Sequence, residues 1–96
     1  MKEQIAVALI GTGRIGQEHA KSLASIPWVR VEVVCDVRIE AAHATQLLAR
    51  AASVSDSVEA VLARKDIQAV IVCTSTDTHA DLIEASARAG KAVFCE

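Results

Sequence analysis

Polarity along the chain changes period several times. Ile5 to Ile10 is a continuous apolar run too short to favour a helix, the pattern of a strand covered on both faces. Val31 to Cys35 (VEVVC) and Ala69 to Cys73 (AVIVC) have the same character, Ala92 to Cys95 (AVFC) is a shorter version, and Ala52 to Val54 suits a minimal edge strand. Between these runs the spacing turns helical. Ile15, Ala20, Leu23 and Ala24 fall on one side of a helix that must end near Pro27, whose ring disfavours helical geometry at Ile26. Ala41, Ala44, Leu47, Leu48 and Ala51 form a second stripe. Asp56 followed by Glu59 resembles a capping box ahead of Val58, Val61 and Leu62. Thr78 with Asp81 can cap a fourth helix through Leu82 and Ile83, which Gly90 stops in a left-handed conformation.

Strand and helix therefore alternate strictly, which predicts an α/β fold: a Rossmann-type doubly wound parallel sheet of about five strands, in the order 3-2-1-4-5, with helices on both faces. No helical pattern follows AVFC before the last residue, Glu96. A truncated unit is expected, with one sheet face over the fourth and fifth strands uncovered and AVFC as an open edge. Such surfaces favour self-association as a homodimer or a strand-exchanged assembly.

Composition narrows the function classes. Ninety-six residues fit one domain, and 52% hydrophobic residues with Trp28 and Phe94 as the aromatics imply close packing of small side chains. The net charge is −2, and no basic run or aromatic platform exists for nucleic acid to follow. No apolar run is long enough to cross a bilayer, and Glu3 with the early glycines spoils a signal peptide, so a cytoplasmic location is expected. Cys35, Cys73 and Cys95 are widely spaced and odd in number, which fits buried thiols rather than a metal site or a disulfide framework.

The chemistry concentrates at two places. In "GTGRIG", Gly11 lets the chain turn sharply off the first strand, Gly13 lets backbone approach a pyrophosphate, and Gly16 lets the helix pack closely. The helix then offers unpaired N–H groups and its positive dipole end to an anion. Arg14 either reaches a phosphate or faces water, Ile15 belongs to the same loop, and His19 reads as a packed histidine. Asp36, just past the second strand and near the expected spacing of roughly 20 residues, can accept from both adenosine ribose hydroxyls and repel a 2′-phosphate. NAD is therefore favoured over NADP. Arg38 pulls the other way, because a guanidinium there can fold over adenine or pair with a phosphate. Asp36 also suits a carboxylate at the start of the second helix. S-adenosylmethionine is a further candidate for the same loop.

The second place is "CTSTDTHAD", residues 73–81, at the carboxyl end of the fourth strand. Thr74 and Ser75 can line the cofactor's central ribose and nicotinamide, or belong to an ordinary turn before a helix. His79 in the first helical turn reads as a surface or capping histidine before a catalytic one, since no acid or nucleophile stands beside it.

With those residues in place, the chain resembles the amino-terminal part of the Gfo/Idh/MocA family, through "GTGRIGQEHA", "VVCDV" and "DIQAVIVCTSTDTHADLIEASARAGKAVFCE" in that order. The resemblance implies an NAD(P)-dependent dehydrogenase that moves a hydride between nicotinamide and a sugar or polyol carbon. It implies that Gly11, Gly13 and Gly16 form the pyrophosphate loop, Asp36 the ribose acid, and Thr74, Ser75 and His79 the loop near nicotinamide. Glu96 would be the glutamate of the family's Glu-Lys-Pro motif. The lysine that follows there, and the second domain with its aspartate and histidine acid/base pair, lie outside these residues, and Ser75 stands where the family often has proline. No catalytic or metal-binding residue is assigned, and the isolated chain is expected to bind cofactor without turnover. The alternative is a self-associating Rossmann module, truncated or engineered, without catalytic function.

Overall fold

A computed structural model describes residues 4–95. Five strands, β1 (Ile5–Ile10), β2 (Val29–Cys35), β3 (Ser53–Ser55), β4 (Ala69–Val72) and β5 (Ala92–Cys95), form one parallel sheet in the order β3-β2-β1-β4-β5. The helices α1 (Arg14–Ala24), α2 (Ile39–Ala49), α3 (Val58–Leu62) and α4 (His79–Arg88) connect them, and a 3-10 turn over Thr76–Thr78 leads into α4. The predicted fold class and strand order are both present.

Burial on both faces explains the unbroken apolar strands. Val7, Leu9, Val31, Val34 and Ala69 face one layer with Ala20 of α1 and Ala42 and Ala49 of α2. Ala8, Ile10, Val33, Cys35, Val70 and Val72 face the other layer with Val61 of α3. Alternation within β2 is broken once. The pairing with β1 slips between Val7 and Ala8, so that Val31 is opposite Val7 and Val33 opposite Ala8. One extra residue, Glu32, reverses the phase of everything after it. Val31 and Val33 consequently lie in different layers.

Several local expectations are corrected. The buried stripe of α2 is Ala42, Thr45 and Ala49, whereas Leu47 is 81% exposed and Ala44 is exposed. Small side chains recur all around α2, so apolarity alone does not select its inner face. Ile15 of α1 is also exposed, and Gly16 and Ala20 are the buried residues of that helix. The cap of α3 is Ser57, not Asp56: its hydroxyl accepts from the Ala60 amide at 3.1 Å. Thr78 does not cap α4 with its side chain. Its hydroxyl turns back to the Ser75 carbonyl at 2.8 Å and the Thr74 hydroxyl at 2.6 Å, which closes the 3-10 turn instead.

The end of α4 follows the expected design. Gly90 takes φ +79°, its amide donates to the Ala87 carbonyl at 3.0 Å, and the Lys91 amide donates to Ser86 at 3.1 Å. Lys91 then enters the interior. Its ammonium donates to the Arg64 and Ile67 carbonyls at 2.7 and 2.8 Å, tying the start of β5 to the approach to β4.

On the α1 side, among the described residues, Ile71 of β4 and Phe94 of β5 face an open groove. A groove of about 540 Å³ runs there between Ile5, Trp28, Ile71 and Phe94. Trp28 is 54% and Phe94 69% exposed. No helix among the described residues is long and apolar enough to cross a membrane.

Candidate functional site

The strand order reverses between β1 and β4, and the chain leaves both strands at the same rim. Parallel sheets bind ligands at such a switch point because two adjacent connections diverge to opposite faces and leave a crevice between them. The glycine loop leaves β1 there, and Thr74 and Ser75 follow β4 there.

The three glycines have different reasons to lack a side chain. Gly11 has φ +100°, and a Cβ on it would lie 2.6 Å from the Cys73 carbonyl carbon and 2.7 Å from the Thr74 amide. This glycine lets the end of β1 touch the end of β4. A Cβ on Gly16 would lie 2.1 Å from the Gly11 carbonyl oxygen, so Gly16 lets α1 press against the loop itself. Gly13 is otherwise. Its φ of −70° and ψ of −166° suit any residue, and nothing lies within 4 Å of a Cβ built on it. Folding requires Gly11 and Gly16 and is indifferent to Gly13.

Gly13 is also the residue that starts α1. It supplies no side-chain cap, and no acidic residue occupies the first turn. The leading amides of a helix have no intrahelical acceptors, so this positive end lacks an answering group from the helix's own side chains. The Cβ-free face of Gly13 and the bare helix start fit an anionic diphosphate.

Asp36 borders the same loop. One of its carboxylate oxygens accepts from the Thr12 amide at 3.0 Å and the Thr12 hydroxyl at 2.6 Å; the other accepts from the Arg38 amide at 2.9 Å. Partial burial pushes its pKa up, but the bonds from Thr12 and Arg38, with the Arg38 charge, outweigh that and hold the carboxyl below its ordinary value. Asp36 stands ahead of α2 without capping it directly, because the N-cap position belongs to Arg38, which is exposed. Beside Asp36, burial first and then the Asp36, Asp56 and Glu59 charges push the Cys35 thiol up to about 11, which makes it a protonated core group.

Beyond β4, His79 Nε2 lies 2.8 Å from the Thr74 carbonyl oxygen, so the ring fastens the loop to α4. Thr74 is half-buried and Ser75 exposed. The structure thus brings Gly11 and Gly16 against the β4 terminus, and Asp36 against the loop and Arg38. Arg14 and Ile15 are exposed on the rim, and Glu96 lies outside the described residues. His19 lines the groove beside β5 rather than the rim. No group of residues that could hold a metal ion occurs among the described residues.

Sequence reasoning overlooked Thr12, which is 2% exposed and holds Asp36 through two bonds. A hydroxyl residue between two glycines of a loop was the available signal. The volume of the groove is also misleading as a guide. It lies on the apolar sheet face, whereas the polar and bare-amide groups converge at the rim.

Residues 5–96 match the family described as oxidoreductases with an NAD-binding Rossmann fold, Gfo/Idh/MocA. An inositol 2-dehydrogenase of Rhizobium meliloti is 45% identical over 92 residues, covering 96% of this chain and 27% of that protein. The inositol 2-dehydrogenase of Gluconacetobacter diazotrophicus is 35% identical, covering 96% and 28%. A solved structure from Sinorhizobium meliloti, assigned as a myo-inositol dehydrogenase, superposes with a TM-score of 0.88 at 43% identity, covering 96% of this chain and 27% of that one. The chain spans little more than a quarter of the length of these relatives. On the match over residues 5–96 and the shared fold, the chain belongs to the Gfo/Idh/MocA oxidoreductase family, within its NAD-binding Rossmann part.

Proposed function

We propose that residues 1–96 form one dinucleotide-binding unit that takes NAD in preference to NADP, and that it serves a dehydrogenase acting on a cyclic polyol such as inositol. The observation that carries this reading is Gly13: the fold leaves its side-chain position open, beside an uncapped α1 start and on the loop whose Thr12 donates to the Asp36 carboxylate. In this reading Gly11, Gly13, Arg14, Ile15 and Gly16 surround the diphosphate. Asp36 and Arg38 border the adenosine ribose, and Thr74, Ser75 and His79 lie toward the nicotinamide. An ionised Asp36 accepts from a ribose hydroxyl through its remaining acceptor site and repels a 2′-phosphate, which favours NAD. Bound nicotinamide supplies the hydride acceptor.

The chain by itself is proposed to bind without turnover. Alcohol oxidation needs a group to take the hydroxyl proton and a surface that holds the alcohol against the ring. Among the described residues at the rim, the histidine is His79, and its Nε2 is engaged with Thr74. Calorimetric titration should give saturable heat with NAD⁺ and weaker heat with NADP⁺, while myo-inositol with NAD⁺ yields NADH at the background rate. No heat with either nucleotide would overturn the binding reading, and turnover would overturn the inactivity.

The apolar groove beside β4 and β5, with Trp28 and Phe94 exposed, favours a second reading, self-association through this sheet surface and the β5 edge. Sedimentation should then show a dimer at high concentration. A clean monomer would refute it.

A further inference from the structure

We infer that Thr12 is a positioning residue for cofactor selectivity, holding the Asp36 carboxylate on the glycine loop so that the loop and the ribose acid act as one preformed unit. The inference rests on the dinucleotide reading above and adds to it a residue outside the glycine pattern.

The geometry is specific. Thr12 sits between Gly11 and Gly13 and is 2% exposed. Its amide and hydroxyl both donate to the same Asp36 oxygen, at 3.0 and 2.6 Å. The other Asp36 oxygen takes the Arg38 amide at 2.9 Å. A carboxylate has roughly four acceptor sites, so three bonds fix its plane and leave capacity for a further donor. Thr12 is itself braced, because the Gln17 side-chain amide of α1 donates to its carbonyl at 3.1 Å. Asp36 in turn is anchored by its own amide, which donates to the Ser55 carbonyl at 3.1 Å. The carboxylate is therefore held between the β1–α1 loop and the Arg38 amide, while the Asp36 backbone is fixed to the end of β3.

The clamp has a chemical consequence. A hydroxyl that donates to the carboxylate stabilises its charged form and fixes its direction, as the lowered Asp36 pKa agrees. A ribose diol benefits from an acceptor already in place, because ordering the side chain on binding costs affinity. A 2′-phosphate gains nothing from that order, since it meets the charge in any orientation. Losing the hydroxyl should weaken NADH and leave NADPH nearly unchanged.

Thr12→Val keeps the shape and removes the donor; Thr12→Ser keeps the donor and removes a methyl. Fluorescence titration of the full chain with NADH and NADPH, and an NMR titration of the Asp36 carboxyl carbon without nucleotide, read the two halves separately. Thr12→Val should raise the NADH Kd roughly tenfold and the NADPH Kd by less than about twofold, and it should move the Asp36 titration upward. Thr12→Ser should restore all three. Equal losses for both nucleotides, an unchanged Kd ratio, or a Ser variant that behaves like Val would overturn the inference. If the parent chain binds neither nucleotide, the dinucleotide reading fails and the selectivity role with it. An upward carboxyl shift in Thr12→Val would in that case identify the clamp as a purely structural contact.

Discussion

Substituting alanine singly for Gly11, Gly13 and Gly16 separates what the fold needs from what the ligand needs. At Gly16 the new Cβ would stand 2.1 Å from a backbone oxygen, and at Gly11 it would stand 2.6 Å from a backbone carbon with φ at +100°. Neither obstacle is the end of a flexible side chain, so α1 or the β4 terminus has to move. Left-handed or sparsely populated backbone costs about 1–3 kcal/mol, and overpacking adds a similar amount. Gly11→Ala should therefore lose about 2–6 kcal/mol, and Gly16→Ala, which has no positive φ to strain, about 1–3 kcal/mol; for a domain this size the Tm falls by at least about 8 °C and about 4 °C respectively. Gly13→Ala meets nothing within 4 Å and an allowed backbone conformation. Its stability should change by less than about 1 kcal/mol, because the lost freedom of the unfolded chain is offset by alanine's poorer fit at a helix N-cap. The same methyl stands where a diphosphate must approach, so NADH affinity should fall about tenfold or more. Thermal melts followed by circular dichroism and NADH fluorescence titrations measure the two effects. A Gly13→Ala protein as unstable as Gly16→Ala, or one that binds NADH like the parent, would refute the reasoning.

Further consequences concern charge and buried polar atoms. Hydrogen bonds lower the Asp36 pKa from the ordinary 3.8, so its stabilisation is complete above that value and disappears as pH falls through the lowered native value. The urea midpoint of the parent should drop on acidification below about pH 4 more steeply than that of Asp36→Asn, and equal slopes would contradict the assignment. Lys91→Met leaves the Arg64 and Ile67 carbonyls without their donor and should cost about 2–3 kcal/mol in urea denaturation. A change under about 0.5 kcal/mol would show that the two bonds do not hold the start of β5. The buried Thr45 hydroxyl has no hydrogen-bond partner among the described residues, so Thr45→Val should be neutral or stabilising by up to about 1 kcal/mol in the same assay. A marked loss of stability would mean that the hydroxyl is satisfied.

Strands and the glycine turn were legible because both depend on short, strongly biased stretches. Ile5 to Ile10 coincides with β1, since a strand buried on two faces must be apolar throughout, and AVFC coincides with β5 although that strand is largely exposed. The inner face of α2 was not legible. Its alanines lie on every side, and packing against α1 selected Ala42 and Ala49 while Leu47 faced outward. The slip at Glu32 was hidden for a related reason: VEVVC is apolar on both sides of the extra residue, so a change of phase leaves no trace in polarity. At the rim, Gly11, Gly16 and Asp36 were found by spacing. Thr12 and the inward-turned Thr78 hydroxyl depend on where loop side chains point, which spacing does not encode.

The central claim is that dinucleotide binds at the loop between β1 and α1, and amide chemical-shift mapping on a ¹⁵N-labelled chain during NAD⁺ titration tests it most directly. The account predicts that Thr12, Gly13, Arg14, Ile15 and Asp36 shift most, with Trp28 and Phe94 at the groove unmoved. An unperturbed loop, or shifts centred on the groove lined by Trp28 and Phe94, would contradict it.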